Sequence, residues 1–175
     1  CLGGDHSLTP AILRAFADTP LHLVRIDAHM DFVDRLGGAA ETHASPMRRA
    51  REFPWVRSLT QLGIRSIVSS AEDYAAARAA GNRIVTARQV LEAPGHDWWP
   101  DLAGDAYLTL DIDAFDPAVA PGTGFAEPGG LGFTEVAALV RRRARRLRLR
   151  GMDLVEVNPY REASRPTAGQ AARPL

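Results

Sequence analysis

The stretch "LHLVRIDAHMDF" (residues 21–32) decides the fold. Its first half is a near-continuous apolar run, the pattern of a strand buried on both faces. Its second half carries Asp27, His29 and Asp31 at every second position. Side chains alternate across a strand, so positions i, i+2 and i+4 share a face. If extended backbone continues past Ile26, three side chains of metal-binding type converge where the strand hands over to its loop.

The same device returns further along. "AYLTLDID" (residues 106–113) is a second β-rich run and ends on the i, i+2 pair Asp111 and Asp113. "TQLGIRS" (60–66), "RIVTA" (83–87) and "GMDLVEVNP" (151–159) read as further strands. Helices are expected over 9–18, 45–53, 70–81 and 134–150, with another between the strands at 83–87 and 106–113. The Thr-Pro start at residue 9 suits a first turn, and Ser70 and Gly81 suit the two ends of their helix. Alternating strands and helices predict an α/β fold with a mainly parallel sheet covered on both faces. Ligands of such sheets sit beyond the carboxyl ends of the strands. His6, in "GGDHS" after two glycines, adds a third contribution, although the strand expected before it lies outside the chain.

Composition sets the frame. Of the 175 residues, 46% are hydrophobic and 24% charged, enough for one domain over residues 1–175 with a real core. Basic and acidic residues number 21 each, so nothing calls for nucleic acid or an anionic membrane as partner. A single cysteine, Cys1, permits no internal disulfide and fits a reducing, cytoplasmic compartment. No apolar run approaches a membrane span. The run "RRRARRLRLR" (141–150) reads as a solvated helix face rather than an RNA-binding stripe, because it holds no aromatics and the chain is neutral. An opening Cys1 with a site-like motif directly behind it reads as the start of an amino-terminally truncated piece.

His6, Asp27, His29, Asp31, Asp111 and Asp113 are too many ligands for one catalytic metal. Four carboxylates and two imidazoles suit a pair of divalent ions about 3.5–4 Å apart that share bridging carboxylates. Oxygen and imidazole donors without thiolate favour Mn²⁺ over a structural zinc, and leave Ni, Co and catalytic Zn open. Converging without a cation, four like charges would be strongly unfavourable. His22, inside the apolar run, reads as a packing histidine, and His96, beside two tryptophans, as a surface one.

"GGDHS", "DAHMD", "DIDAFDP" with "APGTG" behind it, and "DLVEVNP" resemble, in order and spacing, the ureohydrolase family of arginases and agmatinases. The resemblance covers essentially the whole chain. It implies a three-layer α/β/α fold, two Mn²⁺ ions per chain and hydrolysis of a guanidino compound to urea and an amine. It implies a homo-oligomer, a trimer or hexamer. By the same resemblance, His6 would ligate one manganese and His29 the other, with Asp27 and Asp111 as bridges. Asp31 would complete the first site and Asp113 the second, and a hydroxide bridging the metals would attack the guanidinium carbon. His43 in "THASP" matches the family's loop histidine; imidazole titrates near neutrality, which suits a proton shuttle to the leaving amine. Glu156 in "VEVNP" matches the glutamate that grips the guanidinium. Asp153 lies an odd number of positions away and is expected to face elsewhere in a structural role.

Departures bear on the substrate. The family's loop reads His-Gly where this chain has His43-Ala44, and Thr-Pro where it has Phe125-Ala126. Both changes lie outside the proposed metal ligands, but Phe125 would alter the pocket that receives the substrate tail. The loop "FVDRLGGAAET" (32–42) offers no polar set of the kind that holds an amino-acid head in an arginase, whereas "SPMRRA" looks agmatinase-like. The expected substrate is therefore agmatine, guanidinobutyrate or a similar small molecule. Arginase or formiminoglutamase activity would use the same cluster. A non-catalytic fragment or pseudoenzyme, and a single-metal structural module, are the readings from other classes.

Overall fold

A computed structural model describes residues 1–99, 103–143 and 147–173. Five strands, β1 (Leu21–Ile26), β2 (Val56–Ile64), β3 (Arg83–Thr86), β4 (Asp105–Asp111) and β5 (Arg148–Val155), form one sheet. Their order is β3-β2-β1-β4-β5, and every pairing is parallel. The order reverses direction between β1 and β4, and the crevice at such a reversal is where α/β sheets bind ligands.

The pleat of β1 divides its side chains between two cores. Leu21 and Leu23 face Leu13 of α1 (Leu8–Leu13), Met47 and Ala50 of α2 (Pro46–Arg51) and Ala77 of α3 (Ala71–Ala79). Val24 and Ile26 face Val90 of α4 (Ala87–Glu92) and Val136 and Leu139 of α5 (Phe133–Arg143). Helices thus cover both faces, which makes three layers. Fully burying each of the Leu, Val, Ile and Met side chains among these contributes about 1.5–3 kcal/mol. No helix among the described residues is long and apolar enough to cross a membrane.

Local chemistry explains the starts of the helices. Ser70 accepts from the Asp73 amide and Asp73 returns a bond to Ser70, a capping box that opens α3. Thr86 and Gln89 do the same for α4, so Ala87 begins a helix instead of ending the strand expected over 83–87. The helix expected over 9–18 tightens after Leu13 into a 3₁₀ turn, Arg14–Phe16. Strand β2 starts at Val56, four residues before the expected 60, and ends at Ile64. A short helix, α6 (Pro166–Ala171), was not foreseen.

Two expectations need larger correction. The helix expected over 134–150 ends at Arg143, and Arg148–Arg150 belong to β5; residues 144–146 of that run lie outside the described residues. The alternation in "LRLR" is a period of two, a strand signature, and Arg148 and Arg150 pair with Asp105 of β4 at 2.5 and 3.3 Å. The segment before His6 is also strand-like within this chain. Leu2 bridges Leu154 in parallel, the Leu154 amide donates to Cys1 (3.0 Å), the Gly3 amide to Leu154 (3.0 Å) and the Glu156 amide to Gly4 (2.9 Å).

Candidate metal and guanidinium site

The cage lies just beyond the carboxyl ends of β1 and β4, and turn chemistry builds it. Strand β1 ends at Ile26. The Asp27 carboxylate then accepts the His29 amide two residues on at 2.6 Å, and Asp111 accepts the Asp113 amide in the same way at 2.9 Å. These Asx turns bend the chain out of extended geometry. Asp113 sits in a 3₁₀ turn, and Asp31 has a left-handed backbone with φ 44°. The ligands therefore converge because each first aspartate folds the chain back, not because strand alternation continues. The Asp113 carboxylate ties the two turns together by accepting the Ala28 amide at 3.0 Å.

Two groups of donors result. His6, Asp27 and Asp31 form one, and Asp27, His29 and Asp113 the other, each with ligand atoms within 4.8 Å of one another. Asp27 belongs to both. His6 Nδ1 lies 3.0 Å from Asp111 and 3.2 Å from Asp27, and His29 Nδ1 lies 2.8 Å from Asp113. All six expected ligands are thereby brought together. The donors are carboxylate oxygens and imidazole nitrogens without thiolate, a set that fits divalent ions such as Mn²⁺.

Titration in the cage follows from burial and mutual charge. Burial opposes a charge on His6, but Asp111 and Asp27 outweigh it and raise its pKa to about 10. Burial likewise opposes charge on His29, and Asp113 and Asp27 raise its pKa to about 11. Burial lifts Asp31 to about 6 against the pull of Arg25. Asp111 and Asp113 are pushed up by burial and then by neighbouring acids. For Asp27, Arg25 overcomes burial and holds the carboxyl well below its ordinary range. Four carboxyls packed this closely keep protons on both histidines and draw on Arg25, a balancing role that bound divalent cations would take over.

Beneath the cage runs a row of side chains that the sequence did not reveal. Strand register sets Gln61, Arg25, Thr109 and Asp153 side by side across β2, β1, β4 and β5, and all four are fully buried. Arg25 donates to the His29 carbonyl (2.7 Å), to Gln61 (3.0 Å), to Asp31 (2.5 Å) and to Asp27. It holds two proposed ligands from below. An arginine inside a mostly apolar strand is the available signal, since a fully buried arginine must be paired. Asp153 accepts from Thr9 (3.0 Å), Tyr107 (3.0 Å) and Thr109 (2.5 Å). Thr109 in turn lies 2.9 Å from His6 Nε2. Asp153 is structural, as expected, but it backs the cage instead of facing away from it.

Above the cage opens a pocket of about 330 Å³, lined in part by His29, Asp31, Asp111 and Asp113 and by His43 and Glu156. Glu156 follows the end of β5 with φ 64°, and its carboxylate accepts the His6 amide at 2.9 Å. Burial raises its pKa. His43 stacks on Phe125 at 5.8 Å between ring centres. Arg65 holds the loop that carries Phe125, donating to the carbonyls of Asp113 (2.8 Å), Glu127 (2.7 Å) and Pro128 (3.1 Å). The Glu127 carboxylate comes within 3.6 Å of His29 Nε2 and accepts from Ser66 at 2.8 Å. Arg65 and Glu127 were not foreseen. Outside the site, His22 is half-buried against Ser58 (2.8 Å), and His96 lies against Trp98 with ring centres 4.3 Å apart.

Fold and site define a class: three-layer α/β domains with a two-lobed carboxylate–histidine cage at the carboxyl ends of a parallel sheet. Residues 1–174 match the model of the arginase family, and the chain belongs to that family. It is 39% identical over 176 residues to guanidinopropionase of Pseudomonas aeruginosa, covering 95% of this chain and 55% of the relative. To agmatinase of Bacillus subtilis it is 36% identical, covering 98% and 59%. The solved structure of proclavaminate amidino hydrolase from Streptomyces clavuligerus superimposes with a TM-score of 0.86 at 38% identity, covering 97% of this chain and 59% of that one. The chain thus spans a little over half the length of these relatives.

Proposed function

We propose that the protein hydrolyses a guanidino compound lacking an α-amino-acid head, agmatine-like in size, to urea and an amine. The observation that carries the reading is the pair of donor groups sharing Asp27 at the floor of a pocket that also presents Glu156 and His43. Two Mn²⁺ ions would be held by His6, Asp27, Asp31, Asp111, His29 and Asp113, and when bound they supply Lewis acidity and a water made nucleophilic near neutral pH. Glu156 is the carboxylate on the pocket wall beside the cage and accepts hydrogen bonds from the planar guanidinium. That contact turns the guanidinium carbon towards the cage. Water adds to this carbon, the bond to the tail nitrogen breaks, and that nitrogen leaves as the amine. His43, half-buried on the same wall, delivers the proton the departing amine needs. Arg25 and Asp153 position ligands from below and touch no substrate.

Guanidinopropionase, agmatinase and proclavaminate amidino hydrolase name three different substrates, so the relatives support the reaction more firmly than the tail. Urea release from a panel of guanidino compounds by the manganese-loaded protein tests the reading. Turnover of agmatine or guanidinobutyrate above arginine is the expected result. No urea from any compound, with two metals bound per chain, overturns it.

A further inference from the structure

The floor of the pocket is acidic, but its mouth is not. Val33, Leu36, Val68 and Phe125 share the upper lining. Of these, Leu36 is 45%, Val68 72% and Phe125 61% exposed. Large apolar side chains left open together around a binding cleft are a recognition surface more often than an accident. The four come from two sides. Val33 and Leu36 stand on the loop after β1, and Val68 and Phe125 on loops that Arg65 and the Ser66–Glu127 bond hold together. Phe125 roofs the site, stacked on His43 and edge-on to His29 with ring centres 6.3 Å apart.

Among the described residues that line the pocket, none carries a guanidinium or ammonium group. Arg35, in the same loop as Val33 and Leu36, is bonded to the Gly38 carbonyl at 2.9 Å. A carboxylate on the substrate tail would therefore meet apolar side chains and the acids below them. At the collar, away from His43 and the reacting end, it would lose hydration without gaining a fixed counter-charge. An ammonium finds no acid at this level either, since the acidic side chains of the lining belong to the cage and to Glu156.

Resting on the reaction proposed above, we infer that Val33, Leu36, Val68 and Phe125 form an apolar collar that selects the substrate by a hydrocarbon tail. The substrate class is an alkylguanidine, in which the guanidinium is held below and the methylenes are held at the collar. Each methylene buried there is worth about fourfold in affinity. A charge at the far end of the tail adds nothing, and a carboxylate close to the collar counts against binding.

The test uses the manganese-loaded protein and four substrates: butylguanidine, agmatine, guanidinobutyrate and arginine. Butylguanidine should give urea with kcat/KM at least equal to that for agmatine and about tenfold or more above that for guanidinobutyrate. Val68→Arg, an exposed position away from the reacting atoms, adds the absent counter-charge. It should move the ratio about tenfold towards guanidinobutyrate, chiefly through KM. Urea from agmatine or guanidinobutyrate with little from butylguanidine overturns the collar and leaves the reaction standing. A ratio that Val68→Arg does not move also overturns it. No urea from any of the four overturns the reaction and the collar together.

Discussion

Asp153→Ala removes a carboxyl that no solvent reaches and leaves three hydroxyls, on Thr9, Tyr107 and Thr109, without their acceptor. Thr109 can turn its proton to His6, so Thr9 and Tyr107 carry the loss; each buried donor left unsatisfied costs about 1–3 kcal/mol, and the two together cost on the order of 4 kcal/mol. In a domain of this size that lowers the melting temperature by roughly 8–16 °C. The second effect is on the cage. Thr109 has one hydroxyl proton and donates it to Asp153, so its lone pair accepts from His6 Nε2. That arrangement keeps a proton on Nε2 and aims Nδ1 at Asp27 and Asp111. Without Asp153, the Thr109 proton turns to Nε2 and favours the tautomer protonated on Nδ1, the nitrogen proposed to meet the metal. Loss of such a supporting contact costs about 10–100-fold in metal affinity. Asp153→Asn keeps an acceptor for Thr109 and should restore most of both quantities. Differential scanning calorimetry of the metal-free protein reads the first, and calorimetric titration with manganese reads the second. An alanine variant that binds manganese within about twofold of the parent refutes the proposed relay.

Further outcomes follow from the same geometry. Metal uptake near pH 8 should release about two protons per chain, from His6 and His29, whose pKa values of about 10 and 11 keep them charged until a metal takes the proton's place; identical binding heats in buffers of different ionisation enthalpy would contradict this. The raised His6 pKa stabilises the metal-free fold fully below the unfolded value of 6.5, and that contribution disappears as pH rises through about 10. Melting temperatures of chelator-treated protein should accordingly fall across this window, and a rising profile would count against the assignment. Glu156→Gln keeps an acceptor for the His6 amide but loses the charge proposed to face the guanidinium, so kcat/KM for urea release should drop about 10–100-fold, mostly through KM. Gly63 has φ 93°, and a Cβ there would stand 3.0 Å from the Asp27 carbonyl oxygen. Gly63→Ala should cost about 1–3 kcal/mol, read by thermal melting, with manganese affinity falling alongside.

Much of this molecule is legible in its sequence. Strands β1 and β4 announce themselves because strands buried on both faces are mostly apolar, and the acids at their ends stand out against that run. The six cage residues, His43 and Glu156 were all named from motifs, and the structure gathers them around one cleft. What stayed hidden depends on register and on turns. Nothing in "LVRID" states that Arg25 lies opposite Thr109, or that Thr109 lies opposite Asp153; only pairing the strands does so. Nor does alternate spacing distinguish an extended run from an Asx turn, since both bring residues i and i+2 together. "LRLR" follows a run of arginines that suits a helix face equally well, and its period of two is what separates strand from helix.

Asp31, Glu156 and Arg165 are the non-glycine residues with positive φ among those described, and the first two stand at the cage and its pocket. Glycine at either position would relieve a conformation that L-residues adopt only at a cost. A library of this protein sorted on folding yield or heat resistance should enrich glycine at 31 and 156 to the extent that this relief outweighs the lost bonds to Arg25 and the His6 amide. The survivors would be better-behaved proteins with a proposed metal ligand or the proposed guanidinium contact erased. Any engineering of this chain for robustness needs a selection for turnover running beside it.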